Sequence, residues 1–274
     1  MSVVYGPFEK KVAFKPRSHQ YVRQGQILKG ITKPIEKAFH PNWKFWKAQQ
    51  GPEHCEDVDR RKQARTPQQG MNKGKKVDAQ ISRVLKFMKR YKLSLRQFVK
   101  LKDLPEKKRN AKNAQAIHLS KTMLSNTREL LLYWAKRGLK LVATQLPVGS
   151  DGVGTGLDVV LEETKDEYII VNVKTNAWKN YDKHTGKCME YPYGDIKDSV
   201  RNHNQLQILT ELILFYKTYQ GKKAKAEVHC VDATGKVRPH ALEKWAVKKQ
   251  DEFWAKLVST ARAMSTGVVK KSKT

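Results

Sequence analysis

The sequence predicts an α/β (α+β) fold, a mixed sheet flanked by helices, over residues 118 to 274. Three observations carry this expectation. The strand-like runs LKLVATQLPV, TGLDVVLEE and EYIIVNVKT follow one another directly; apolar residues on either side recur at helical spacing; and the order to the C-terminus reads α-β-β-β-α-β-α.

Residues 1 to 75 come first and carry the least pattern. FKPRSHQYVRQGQ and RRKQARTPQQGMNKGKK are rich in Pro, Gly, Gln and Lys, so a basic, largely irregular arm is expected, ordered when it binds. Within it, HPNWKFWKA alternates Trp43, Phe45 and Trp46 with Lys44 and Lys47. The rings suit stacking on exposed bases while the lysines hold phosphates; the blander alternative is that they pin the arm to the domain.

Residues 76 to 117 predict a basic helical hairpin. Val77, Ile81, Val84, Leu85 and Met88 recur at spacings of three and four, a helix ending near Tyr91. Ser94 then caps a second short helix holding Leu95, Phe98 and Leu101. The outline over residues 79 to 104 is that of a helix-turn-helix, with Arg83, Lys86, Lys89 and Arg90 as candidate contacts to DNA.

From residue 118 the elements are those of the α/β domain. Ser120 or Thr122 is expected to cap a helix running to Arg137, with Leu124, Leu130, Leu131 and Trp134 apolar and Gly138 stopping it. The three strands follow, the last two joined by a turn at Thr164, Lys165 and Asp166. A helix over about residues 196 to 219, a strand at AKAEVHCVD and a final helix with Trp245, Phe253, Trp254 and Leu257 complete the series. Gly152, Gly154 and Gly156 lack a Walker lysine and a following helix, so a flexible hairpin turn is expected rather than a phosphate cradle.

Charge narrows the partner. The chain has 55 Lys plus Arg against 26 Asp plus Glu, a net charge of +29, and a pI near 10.0. Residues 1 to 117 hold 29 of those cations against 9 acids. Such an excess calls for a polyanion, and nucleic acid suits better than a membrane because no apolar run of about 18 residues occurs. MSVVYGPFEKK lacks the pattern of a secretory signal, and Cys55, Cys188 and Cys230 form no CxxC pair. A reduced, cytosolic chain with neither a disulfide framework nor a zinc site is expected.

The chemistry-bearing residues lie on the strands. Asn172 and Lys174, two apart in one strand, face the same way, and Asp158 sits beside them if the two runs pair. This combination resembles the RecB-like branch of the PD-(D/E)xK nucleases. Gly156-Leu157-Asp158 matches that family's first sheet acid, Val171-Asn172-Val173-Lys174-Thr175 its acid-x-Lys-Thr strand, and Gln205-Leu206 its glutamine helix, with Leu209 at the aromatic position. The resemblance implies a restriction-endonuclease-like sheet, catalytic positions at Asp158, Asn172, Lys174 and Gln205, and metal ligands at Glu129 and Asp158.

Asn172 departs from that family, whose active members place Asp or Glu there to hold Mg²⁺. The departure implies weak or absent catalysis, a Mg²⁺ at most weakly bound and no required cofactor. Glu162 and Glu163 are the candidates for a displaced acid, Glu162 by strand parity with Asp158. Without catalysis, Asp158 and Lys174 reduce to a buried ion pair.

In length, basicity and unpaired cysteines the whole chain is similar to the DNA end-protector (terminator) family of the T-even bacteriophages. That resemblance implies a virion protein held on packaged double-stranded DNA ends and injected into the host cytoplasm with the genome. There it would shield the ends from host RecBCD exonuclease. It also implies a part in head completion through phage head or portal proteins, and neither a membrane nor a small-molecule substrate. The alternatives are a Mg²⁺-dependent exonuclease and a helix-turn-helix regulator.

Overall fold

The computed structural model describes residues 6–18, 20–40, 67–101, 114–175, 184–231 and 235–266. Their centre is a mixed sheet whose strands are β1 (Ala13–Lys15), β2 (Gln20–Arg23), β3 (Gln26–Gly30), β4 (Lys140–Ser150), β5 (Val153–Thr164), β6 (Glu167–Lys174), β9 (Lys223–Val231) and β10 (Val237–Ala241). The three runs that carried the fold expectation are β4, β5 and β6, paired antiparallel. β6 then pairs parallel with β9, the crossover being helix α6 (Val200–Thr218). A separate ribbon pairs β7 (His184–Cys188) with β8 (Lys197–Ser199).

Helices cover both faces. One layer is α1 (Thr32–Phe39), α6 and α8 (Gln250–Ser265), preceded by the short α7 (Lys244–Lys248). Its core joins Ile35, Phe39, Leu206, Phe215 and Phe253 to Leu146, Leu157 and Ile170 of the sheet. The other layer is α2 (Pro67–Tyr91), α3 (Leu95–Lys100), α4 (Ala114–Thr122) and α5 (Ser125–Lys136). There Val77, Ile81, Phe98, Leu130 and Trp134 pack on Val159, Ile169 and Val171. Burial on both faces explains why β6 reads as a continuous apolar run rather than an alternating one.

Residues 1 to 75 are not the irregular arm expected of them, over the part described. Residues 8 to 39 supply three strands, a helix and core side chains. Phe8 lies within 5.1 Å of Tyr168 and 5.0 Å of Tyr219, ring centre to ring centre. Gln24 and Gly25, both at positive φ, make the tight turn between β2 and β3. The pattern was hard to read because Gln-Gly replaces the usual Asn-Gly and the strands are only four and five residues long.

One helix start also differs. Ser120 and Thr122 belong to α4, and α5 begins at Ser125 after Leu124, which makes no side-chain cap. Gln80 of α2 compensates, its carbonyl accepting from the Leu124 N–H at 3.0 Å and the Thr127 hydroxyl at 2.8 Å. The Ser94 cap is present as expected, a reciprocal capping box with Gln97.

Candidate functional site

β5 forks the sheet. One edge pairs along its length with β4, whereas the other pairs with β3 only at Val153 and Gly154 and with β6 only from Val159 onward. Asp158 lies in the gap. Across from it Gln145 has φ 50, and the inward alternation slips there, since Ala143 and Leu146 of β4, three apart, enter the same core layer. Asp158 takes the place of a strand partner: its Oδ2 accepts from the Val173 N–H at 3.1 Å, and its Oδ1 from the Gln145 amide at 3.4 Å.

Asn172 and Lys174 share the face of β6 turned to α6, as strand parity required. The Asn172 amide donates to Glu211 Oε1 at 2.7 Å, and Lys174 Nζ donates to Gln207 Oε1 at 3.0 Å. Gln207 closes the circuit by donating to Glu211 Oε1 at 3.1 Å. Asn172 and Glu211 are each 1% exposed, and Asn172 Oδ1 and Glu211 Oε2 find no hydrogen-bond partner among the described residues.

Three acids load this pocket against one lysine. Burial first, then the charge of Asp158, pushes Glu211 up to about 8, with Lys174 opposing. Asp78 of α2 is raised to about 8 for the same reasons in the same order. Asp158 is itself raised by burial, against the pull of Lys174 and its two hydrogen bonds. The phenol of Tyr21, brought in by β2, rises to about 12 through burial and the charge of Asp158. Low dielectric and like charge favour the protonated acids.

Tyr21 reaches the site because β5 has no side chains in its way. A Cβ on Gly156 would stand 3.1 Å from the Tyr21 hydroxyl, and one on Gly154 3.2 Å from Tyr21 Cβ. These glycines therefore serve close packing of the N-terminal hairpin rather than a flexible turn; the turn itself is Asp151 and Gly152, both at positive φ.

Several expected site residues are elsewhere. Gln205 accepts from the Glu243 N–H at 2.9 Å and donates to the Ala241 carbonyl at 3.3 Å, so it ties α6 to the segment after β10. Gln207, two residues on, is the glutamine that touches Lys174. Glu129 lies against Gly235, not among the acids around Asp158. Glu162 pairs with Lys140 at 3.1 Å and Glu163 with Lys225 at 2.7 Å, so neither is the displaced acid. Strand parity misplaces Glu162 because the alternation slips beside Asp158.

A second concavity of about 760 Å³ lies between α2 and α4. Arg83, Lys86 and Arg90 line one wall, while Lys89 lies off it. Trp43, Lys44, Trp46 and Lys47 fall outside the described residues.

Asp158, Glu211 and the carbonyl of Asn172 are oxygen ligands of the hard type Mg²⁺ prefers. Among the described residues, however, no three His, Cys, Asp or Glu side chains converge at metal-ligand spacing. No family model and no curated protein sequence matches the chain.

Proposed function

We propose that this protein binds the ends of linear double-stranded DNA and holds them without cutting. One observation carries the reading: Asn172 stands where a nuclease of the resembled family needs its second carboxylate, and its amide is committed to Glu211 at 2.7 Å. An amide there removes a formal charge from the metal site, and a protonated Glu211 does not replace it at neutral pH. A net charge of +29 supplies the grip on phosphates.

On this reading the fold is a duplex-end binder derived from an end-processing one. Phosphate contacts make binding indifferent to sequence and steeply salt-dependent. Bound at the termini of a packaged genome and carried into the host cell with it, the protein would block host RecBCD exonuclease, and contact with phage head or portal proteins would place it at head completion. The test incubates end-labelled linear duplex and a closed circle with the protein, with and without Mg²⁺, then adds RecBCD. Selective, uncut and protected linear DNA supports the proposal; Mg²⁺-dependent shortening of the label overturns it.

That second outcome is the competing reading, and the unpartnered Asn172 Oδ1 and Glu211 Oε2 are what favour it. Asp158, Glu211 and the Asn172 carbonyl would hold the ion, which would supply a Lewis acid for phosphodiester hydrolysis. Lys174 donates to Gln207, which in turn donates to Glu211, so it would face the same phosphate. Loss of Mg²⁺-dependent cleavage in both Glu211→Gln and Lys174→Ala would establish an enzyme. A sequence-specific regulator gains least, because α3 is six residues long and buries Leu95 and Phe98.

A further inference from the structure

We infer that the groove between α2 and α4 is a seat for a short single-stranded run of DNA, such as a frayed or overhanging end. The inference rests on the nucleic-acid reading above and adds a location and a strand state to it. The groove's volume, about 760 Å³, lies in the range of roughly 300 to 1,000 Å³ that takes a nucleotide-sized ligand.

Its chemistry is two-sided. Arg83, Lys86 and Arg90 are exposed along one face of α2, at the spacings of three and four that align side chains on a helix. Opposite them His118 is exposed on α4, whose sequence AQAIHLSKT has no acid. α2 carries one acid, Asp78, and it belongs to the other pocket. Phe87 and Leu119 provide apolar surface between these walls. The Phe87 ring stacks 5.9 Å from that of Tyr91 at 6°, with the Arg90 guanidinium 5.6 Å from the Tyr91 ring centre.

Phosphate alone does not need the apolar surface. A duplex presents a convex ridge of phosphates with its bases stacked inside, so it could use the rim but not the floor. An unpaired strand offers both parts, charge for Arg83, Lys86 and Arg90 and a base face for Phe87. This pairing of cations with a ring is how sequence-tolerant single-strand sites are built.

The test uses the full chain, a fluorescein-labelled oligodeoxythymidine strand, and the same strand carrying 5-iodouracil for photocrosslinking. Phe87→Leu keeps an apolar side chain but removes the ring; Lys86→Glu changes only an exposed charge; circular dichroism checks that both fold. The expected result is a loss of single-strand affinity of about tenfold or more in each, with crosslinks on peptides of α2 or α4. Unchanged affinity in both variants, or crosslinks only elsewhere, overturns the inference. Loss in the variants while wild-type protein holds circles as well as linear DNA would keep the groove and sink the end-binding reading. End selectivity with variants that bind single strands normally would do the reverse.

Discussion

The Asn172 amide donates a 2.7 Å hydrogen bond to Oε1 of Glu211, joining a strand to the helix that crosses over it, 39 residues later, with both side chains 1% exposed. The pair shapes the charge of the pocket, because Asn172 on β6 is a neutral donor and the acid it meets comes from α6. Asn172→Asp turns the donor into a second carboxyl facing the first. In EDTA the variant is expected to lose about 2 to 4 kcal/mol of stability, the range for a buried polar group left facing a like one. Mg²⁺ at millimolar concentration should restore part of it. Thermal unfolding with and without Mg²⁺ checks both, and an unchanged melting temperature in EDTA would show that the hydrogen bond contributes nothing.

The same pocket gives the protein a pH dependence of unusual sign. Glu211 and Asp78 are held near 8 in the folded chain, against about 4 when unfolded. Between those values the folded state binds protons that the unfolded state has lost, so stability is greatest at the acid end and falls as pH rises toward 8. The slope for one such group is about 1.4 kcal/mol per pH unit. Glu211→Gln keeps the shape without the proton, so it should flatten the fall between pH 5 and 8 and raise the melting temperature most at the upper end. A variant whose curve parallels that of the wild type would mean that Glu211 is ionised throughout.

Sequence made the sheet legible where period and turns agreed. β4, β5 and β6 have long apolar runs and a turn, Thr164 to Asp166, with Asp166 at positive φ. Asn172 and Lys174 share one face of β6, which parity within a strand dictates without tertiary information, and the charge of Lys174 acts on Asp158. The acids from helices were missed because an isolated Glu on a helix usually faces solvent. A signal existed: Glu211 stands among Leu209, Leu212, Ile213 and Leu214, and Asp78 is the lone acid of a basic α2, beside the core residue Val77. The resemblance points to Gln205, whereas the glutamine that meets Lys174 is Gln207, which two residues along the helix turn to another face.

The N-terminal hairpin should be removable from the site by one side chain. A Cβ at Gly154 would lie 2.9 Å from Leu28 Cδ1 and 3.0 Å from Leu28 Cβ, the second of which is fixed by the backbone of β3. Gly154→Val is therefore expected to lift β3, with Tyr21 following, at a cost of about 1 to 3 kcal/mol for overpacking. Limited proteolysis would read this as new cleavage before residue 31 while β5 to β9 stay protected. Uniform loss of protection across the chain would mean instead that the hairpin and sheet unfold as one unit.

The basic face of α2 makes a quantitative claim about salt. Arg83, Lys86 and Arg90 line the groove, and no shared ion pair with an acid is seen for them among the described residues. Replacing each in turn by Gln should weaken duplex binding alike for all sequences and reduce the slope of log K against log salt by about one per residue. Lys223 is the control, because Glu167 at 3.8 Å already offsets its charge and Lys223→Gln should leave the slope nearly unchanged. Titration of a labelled duplex at several salt concentrations measures all four slopes. If Lys223→Gln lowers the slope as much as the α2 variants do, binding reads the summed charge of the protein, and α2 has no special place in it.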